Sequence, residues 1–128
     1  MRGPSEAYLY DEAIGVRVLA GNWLVSRQTL TAGASISSAN SSVTLIMQGD
    51  GNLVQYRNGV ATWSTQTFVP GTRAVMQPDG NLVLYRPGNA AVWQSGTFVS
   101  GSYLLAENDG DVAIYRTTTP LWRNGSVV

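Results

Sequence analysis

The 128-residue chain contains neither cysteine nor histidine. Without cysteine there can be no disulfide, thiolate nucleophile or cysteine-ligated zinc, and the redox compartment stays open. Without histidine the chain lacks the commonest metal ligand, the usual general base and every triad built on imidazole. Charge is scarce as well, at 12% of residues, with Lys+Arg 8 balancing Asp+Glu 8. A chain with no net field has nothing to draw in a phosphate backbone or an anionic membrane, so nucleic acid is not an expected partner. No stretch approaches the roughly 18 consecutive apolar residues that a membrane span requires. The opening MRGPSEAYLYDEA has no apolar segment of the secretory type, which leaves the compartment unassigned, with secreted or cell-surface action compatible.

What is abundant is Gly, Ser, Thr, Asn and Gln beside 44% hydrophobic residues. That composition fits a compact β-protein with a neutral, hydrogen-bonding surface and a neutral polar partner. The length suits one domain able to bury a core without covalent staples.

One stretch is written three times. Gln48 to Tyr56 reads QGDGNLVQY, Gln77 to Tyr85 reads QPDGNLVLY, and Glu107 to Tyr115 reads ENDGDVAIY, so the copies start 29 and 30 residues apart. A fixed period of this size signals stacked or radially arranged copies of one supersecondary unit. Residues 1–20 match no copy and are read as an N-terminal extension, whose alternation through Ile14, Val16 and Val18 could add an edge strand; 21–128 are read as the single domain. TLTAG at 29–33 resembles TFVPG at 67–71 and TFVSG at 97–101, each introducing one copy. The first copy carries a Ser-rich insertion, ASISSANSS, expected as a solvent-exposed turn because serine and asparagine compete for backbone hydrogen bonds.

Each copy runs from a short apolar segment into Asp-Gly, at 50 and 51, 79 and 80, or 109 and 110. Glycine reaches the positive φ of tight hairpin turns and aspartate tolerates the neighbouring position, so three hairpins are expected. A further turn then leads to a strand containing Trp63, Trp93 or Trp122. Helical periodicity is absent throughout. Strand alternation places Asp50, Asn52, Val54 and Tyr56 on one face and Leu53 on the other, and likewise Asp79, Asn81, Val83 and Tyr85 opposite Leu82 and Leu84. The expected core is Leu, Val, Ile and Met from three sheets, joined by the three tryptophans. Gln55 stands where the other copies have Leu84 and Ile114, and so requires a hydrogen-bond partner or some exposure.

Opposite the core, each intact copy presents two amides, a carboxylate and a phenol around one valine. Such a surface suits a sugar ring, whose hydroxyls need paired donors and acceptors and whose C–H face needs a small apolar contact. Turn chemistry alone would account for the Asp and the Gly, but it gives no reason for Gln, Val and Tyr to recur at fixed offsets. The pattern QxDxNxVxY, intact at Gln48, Asp50, Asn52, Val54 and Tyr56 and at Gln77, Asp79, Asn81, Val83 and Tyr85, resembles the mannose-binding signature of the bulb-type, or monocot mannose-binding, lectins. The resemblance covers roughly residues 21–128 and implies an all-β fold, a type II β-prism of three four-stranded antiparallel sheets with pseudo-threefold symmetry. It further implies that Asp50 and Asn52 engage the axial 2-hydroxyl of mannose, Gln48 the 3-hydroxyl and Tyr56 the 4-hydroxyl, with Val54 against the ring; Asp79, Asn81, Gln77, Tyr85 and Val83 would repeat those roles. No cofactor and no metal are implied.

The third copy departs from this pattern, with Glu107, Asp111 and Ala113 in place of Gln, Asn and Val and only Asp109 and Tyr115 retained. Amide donors are lost and carboxylates crowd together, so this degenerate site is expected to be inactive toward mannose. A calcium reading of Glu107, Asp109 and Asp111 is disfavoured, since calcium seeks 6–8 oxygens. Plant members of the family usually carry a disulfide across the first two copies; here Gly51 and Thr72 stand at those positions, which suggests a cysteine-free microbial relative. The family's exchange of C-terminal strands implies a homodimer, with Trp122 to Val128 as the exchanged segment. A glycosidase is disfavoured because it needs paired carboxylates about one bond, and each intact copy has one. The alternative is a lectin-like toxin, bacteriocin or defence module in which sugar binding serves targeting or has been lost.

Overall fold

Every described residue in regular structure is in a strand, and the strands are short because Gly-centred turns interrupt the chain at close intervals. The computed structural model describes residues 21–116 and 120–124; the edge strand expected within 1–20 lies outside them. Twelve strands occur: β1 (Trp23–Leu24), β2 (Thr29–Leu30), β3 (Ser35–Ser37), β4 (Val43–Met47), β5 (Leu53–Arg57), β6 (Val60–Ser64), β7 (Arg73–Met76), β8 (Leu82–Tyr85), β9 (Ala91–Gln94), β10 (Tyr103–Ala106), β11 (Val112–Tyr115) and β12 (Pro120–Arg123). They form three antiparallel four-stranded sheets, in the orders β3-β4-β5-β6, β2-β7-β8-β9 and β1-β10-β11-β12. This is the expected prism, one sheet per copy.

Each copy supplies three consecutive strands of its sheet. The fourth comes from the segment before the first copy, which lends β3 to the first sheet, β2 to the second and β1 to the third. The Ser-rich insertion is therefore not wholly a turn, as its composition suggests. Its beginning, Ser35–Ser37, is a strand paired with Thr44 to Ile46, and Ile36 is buried in the core. Only the following residues turn, with Ser41 N donating to Ser38 O at 2.8 Å. A single buried isoleucine flanked by strand-compatible serines is enough once a partner strand offers its edge.

The core lies where the three inner faces meet. Leu24, Leu30, Ile36, Leu45, Met47, Leu53, Met76, Leu82, Leu84, Leu104 and Ile114 are fully buried there. Trp63, Trp93 and Trp122, one per sheet, pack against this cluster and against one another edge-to-face, with ring centroids 5.9, 5.8 and 5.8 Å apart. Edge-to-face contact sets the positive rim of one ring against the negative face of the next, so three rings can close a triangle in which each is satisfied.

Gln55 faces inward with its cross-strand neighbour Trp63, and it is fully buried. Its amide donates to Gly110 O at 2.6 Å, and its carbonyl oxygen accepts from Asn124 Nδ2. This buried amide thus ties the first sheet to the hairpin turn of the third and to the residue that follows β12. Replacing it with leucine, the residue of the second copy, would leave the buried Gly110 carbonyl without this donor and take an acceptor from the half-buried Asn124 amide. Gln55→Leu should lower stability by about 1–3 kcal/mol despite its greater hydrophobicity, as measured by the midpoint of urea unfolding.

Candidate carbohydrate-binding sites

The outer face of each sheet holds one copy of the repeated constellation, and the hairpin turn fixes its geometry first. In the first copy Gly51 N bonds Gln48 O at 3.0 Å and Gln48 N bonds Asn52 O at 2.9 Å, closing the turn. The Asp50 carboxylate accepts from Asn52 N at 3.0 Å, as Asp79 does from Asn81 N at 2.9 Å. Gly51 has φ +93°, and a Cβ there would lie 2.1 Å from Val69 O. Glycine is required twice over, for the backbone conformation and for the close passage of the loop after β6.

That loop clamps the turn. Thr67 Oγ1 donates to Gly51 O at 2.7 Å, and Thr97 Oγ1 repeats this on Gly80 O at 2.7 Å. The same segments hold the asparagines: Asn52 Oδ1 accepts from Thr67 N at 3.2 Å, and Asn81 Oδ1 from Gly96 N at 2.9 Å and Ser95 Oγ at 3.2 Å. With the carbonyl end of each amide held from below, its NH2 is directed outward. Thr72, which follows the same loop, is buried and donates to Val69 O at 2.6 Å.

Around the asparagine the remaining expected residues converge. Gln48 Nε2 donates to Tyr56 OH at 2.6 Å, and Tyr85 OH donates to Gln77 Oε1 at 2.5 Å. Val54 and Val83 are buried between them and form the apolar floor, while Asp50 and Asp79 are exposed at the rim. In the first copy the group lines an open cleft of about 480 Å³ whose wall also includes Ala61, Trp63, Ser64, Gln66 and Phe68. In the second, Arg73 lies over the Tyr85 ring at 5.2 Å and restrains the phenol from the side.

The third copy brings Glu107, Asp109, Asp111, Ala113 and Tyr115 to equivalent places but fills the space between them. Asp111, with 0% side-chain exposure, pairs with Arg123 Nη1 at 2.8 Å, and Arg123 Nη2 donates to Tyr115 OH at 3.3 Å. Tyr115 OH in turn donates to Glu107. The other Glu107 oxygen is buried with no hydrogen-bond partner among the described residues. Burial raises the Glu107 carboxyl above its ordinary value; the Tyr115 hydrogen bond and Arg123 oppose this, while Asp109 and Asp111 add to it. Burial and then the Glu107 contact push the Tyr115 phenol up to about 12. Arg123, Thr67, Thr97 and Gln94 were not apparent from the signature alone. The offset from each core tryptophan would have exposed Gln94 and Arg123, and the repeated TFV would have exposed the two threonines.

Folded Glu107 holds its proton to higher pH than the unfolded chain does. The native state therefore binds more protons across that interval, and stability falls as pH rises through it. Glu107→Gln removes this contribution, so its melting temperature should fall less than the parent's between about pH 4 and pH 7, as followed by circular dichroism.

No protein-family model and no curated protein matches the sequence. Solved structures do. The monomeric monocot mannose-binding lectins of Gastrodia elata are 35% identical over 84% of this chain and 99% of theirs, with a TM-score of 0.76. The mannose-specific agglutinin of snowdrop, Galanthus nivalis, solved with methyl-α-D-mannoside, is 34% identical over 84% of this chain and 98% of its own, with a TM-score of 0.69. The Polygonatum cyrtonema lectin, solved with a monomannoside, is 35% identical over 82% and 96%, also with a TM-score of 0.69. With its three-sheet prism and this degree of likeness across nearly the whole of those chains, the protein belongs to the family of bulb-type, or monocot mannose-binding, lectins.

Proposed function

We propose that the protein binds α-D-mannose and mannose-containing glycans through two sites, Gln48, Asp50, Asn52, Val54 and Tyr56 in the first sheet and Gln77, Asp79, Asn81, Val83 and Tyr85 in the second. The observation that carries this reading is the recurrence, on two separate sheets, of an outward-directed amide, a rim carboxylate and a Gln–Tyr pair about a buried valine. These groups offer both donors and acceptors to hydroxyls around one apolar contact. An epimer that moved a hydroxyl away would leave part of that set unpaired, which is the physical basis for preferring mannose to glucose. The mannosides bound by the snowdrop and Polygonatum relatives support the same ligand class. Each intact site has a single carboxylate, so binding without turnover is the fitting activity.

A shallow site for one sugar ring binds weakly, near millimolar or about −4 kcal/mol. Calorimetric titration with methyl α-D-mannoside should give affinity of that order and none for the glucoside. Asn52→Asp and Asn81→Asp should each remove one site, and the double variant should bind nothing. Unchanged binding in the double variant would place the sugar elsewhere.

Avidity from two weak sites grows when chains associate, and a homodimer that exchanges C-terminal strands is the proposed assembly. In the structure β12 pairs with β11 of its own chain and delivers Trp122 to the tryptophan triangle; exchange would re-form those contacts between two chains. The Gastrodia relatives are described as monomeric. Light scattering at high concentration should give twice the chain mass, and a monomer throughout would refute the dimer. The alternative is a lectin-like toxin, bacteriocin or defence module in which sugar binding serves targeting or has been lost; the calorimetric titration separates the second of these cases from the proposal.

A further inference from the structure

We infer that the residue directly after each core tryptophan, Ser64, Gln94 or Arg123, acts as a gate that sets how available its sheet's outer site is to an external ligand. The inference rests on the reading of these sites as sugar sites. It begins with register. Ser64 lies cross-strand from Val54, Gln94 from Val83 and Arg123 from Ala113, so the three gate residues occupy one equivalent position beside the floor of each site.

Their side chains reach progressively further across it. Ser64 lines the open cleft and makes no side-chain hydrogen bond among the described residues, and Asn52 Nδ2 likewise has no partner there. Gln94 Oε1 accepts from Asn81 Nδ2 at 2.8 Å, engaging the amide donor that the second site would offer a hydroxyl. Arg123 spans further still, binding the Asp111 carboxylate and the Tyr115 hydroxyl together. Asp111 is wholly buried and Tyr115 only 9% exposed, whereas Tyr56 and Tyr85 remain partly open.

An internal partner competes with a ligand for the same donor or acceptor at high effective concentration. A neutral amide contact is modest and can be displaced, because Gln94 is exposed and can turn into solvent. A charge-assisted pair with a buried carboxylate is far harder to displace. The resulting order of affinity is first site, then second, with the third closed. Its closure is thus due to Arg123 as well as to the altered signature residues.

The test is titration with methyl α-D-mannoside followed by NMR of the asparagine side-chain amides, which reports each site separately. Gln94→Ser should tighten the second site about three- to tenfold and leave the first unchanged; Ser64→Gln should weaken the first by a similar factor. For the third site, Glu107→Gln, Asp111→Asn and Ala113→Val together should remain silent while Arg123 is present. Adding Arg123→Ser should open it. If Gln94→Ser and Ser64→Gln leave both affinities unchanged while Asn52→Asp and Asn81→Asp abolish them, the gate is wrong and the sites stand. If the asparagine variants also change nothing, the site assignment itself fails. Binding by the triple variant equal to that of the quadruple one would overturn the role of Arg123. The two exchanges at Ser64 and Gln94, on the solvent side of outer strands, decide the matter if the multiple variants do not fold.

Discussion

The fold depends on three indole rings meeting at one place. Each sheet contributes one tryptophan from its last strand, and each ring needs the other two to complete its edge-to-face packing. A sheet with one apolar face must bury it against another element, and two sheets alone would keep only one of the three ring contacts. The requirement sets the approximate threefold relation. Once the tryptophans are placed, the alternation of each strand turns the polar constellation outward. Core and site are thereby fixed by the same pleat.

Within that frame the sites are rigid because their parts are held by backbone. The asparagine carbonyls accept from main-chain N–H groups of the loop that follows the outer strand, and the threonines of that loop hold the turn on which the aspartates sit. Ligand-binding amides that are already oriented lose little entropy on binding, which partly offsets the shallowness of an open sheet face. In the third sheet the hairpin turn keeps the same form, with Glu107 N bonded to Asp111 O and Gly110 N to Glu107 O. Asp111 N still bonds the Asp109 carboxylate at 3.0 Å, so the copy differs in the chemistry of its site while its turn is retained.

Features written as local chemistry were legible in the sequence. Asp-Gly marked each hairpin, the recurring offsets marked each site, and Gln55 declared its need for a partner by interrupting an apolar row. Its partners could not be read, because Gly110 and Asn124 lie far away in the chain and only the closure of the prism brings them together. The strands Trp23–Leu24 and Thr29–Leu30 were hidden for a related reason. Two residues carry no periodicity, and their extended form is imposed by the sheet edges on which they lie. Ser35–Ser37 misled through composition, since Ile36 is the only apolar anchor among serines. Arg123 was invisible as a site residue because the signature ends at tyrosine, while the position that faces the site across the strand pair lies on the next strand.

The way the first described segment is distributed also shapes how the molecule must assemble. A chain leaving the ribosome makes β1, β2 and β3 before any of the strands that will hold them, and β1 must wait for β10. Contacts so distant in sequence raise the mean contact separation and slow the search for the native state. The early segment therefore engages in stages: β3 can pair with β4 almost at once, β2 waits for β7, and β1 closes the third sheet only when the last copy exists. Until then β1 has no partner strand, and unpaired edges are where chains add to one another. The threefold repetition that builds the finished prism also makes the vulnerable interval of its birth last until the final repeat has been synthesised.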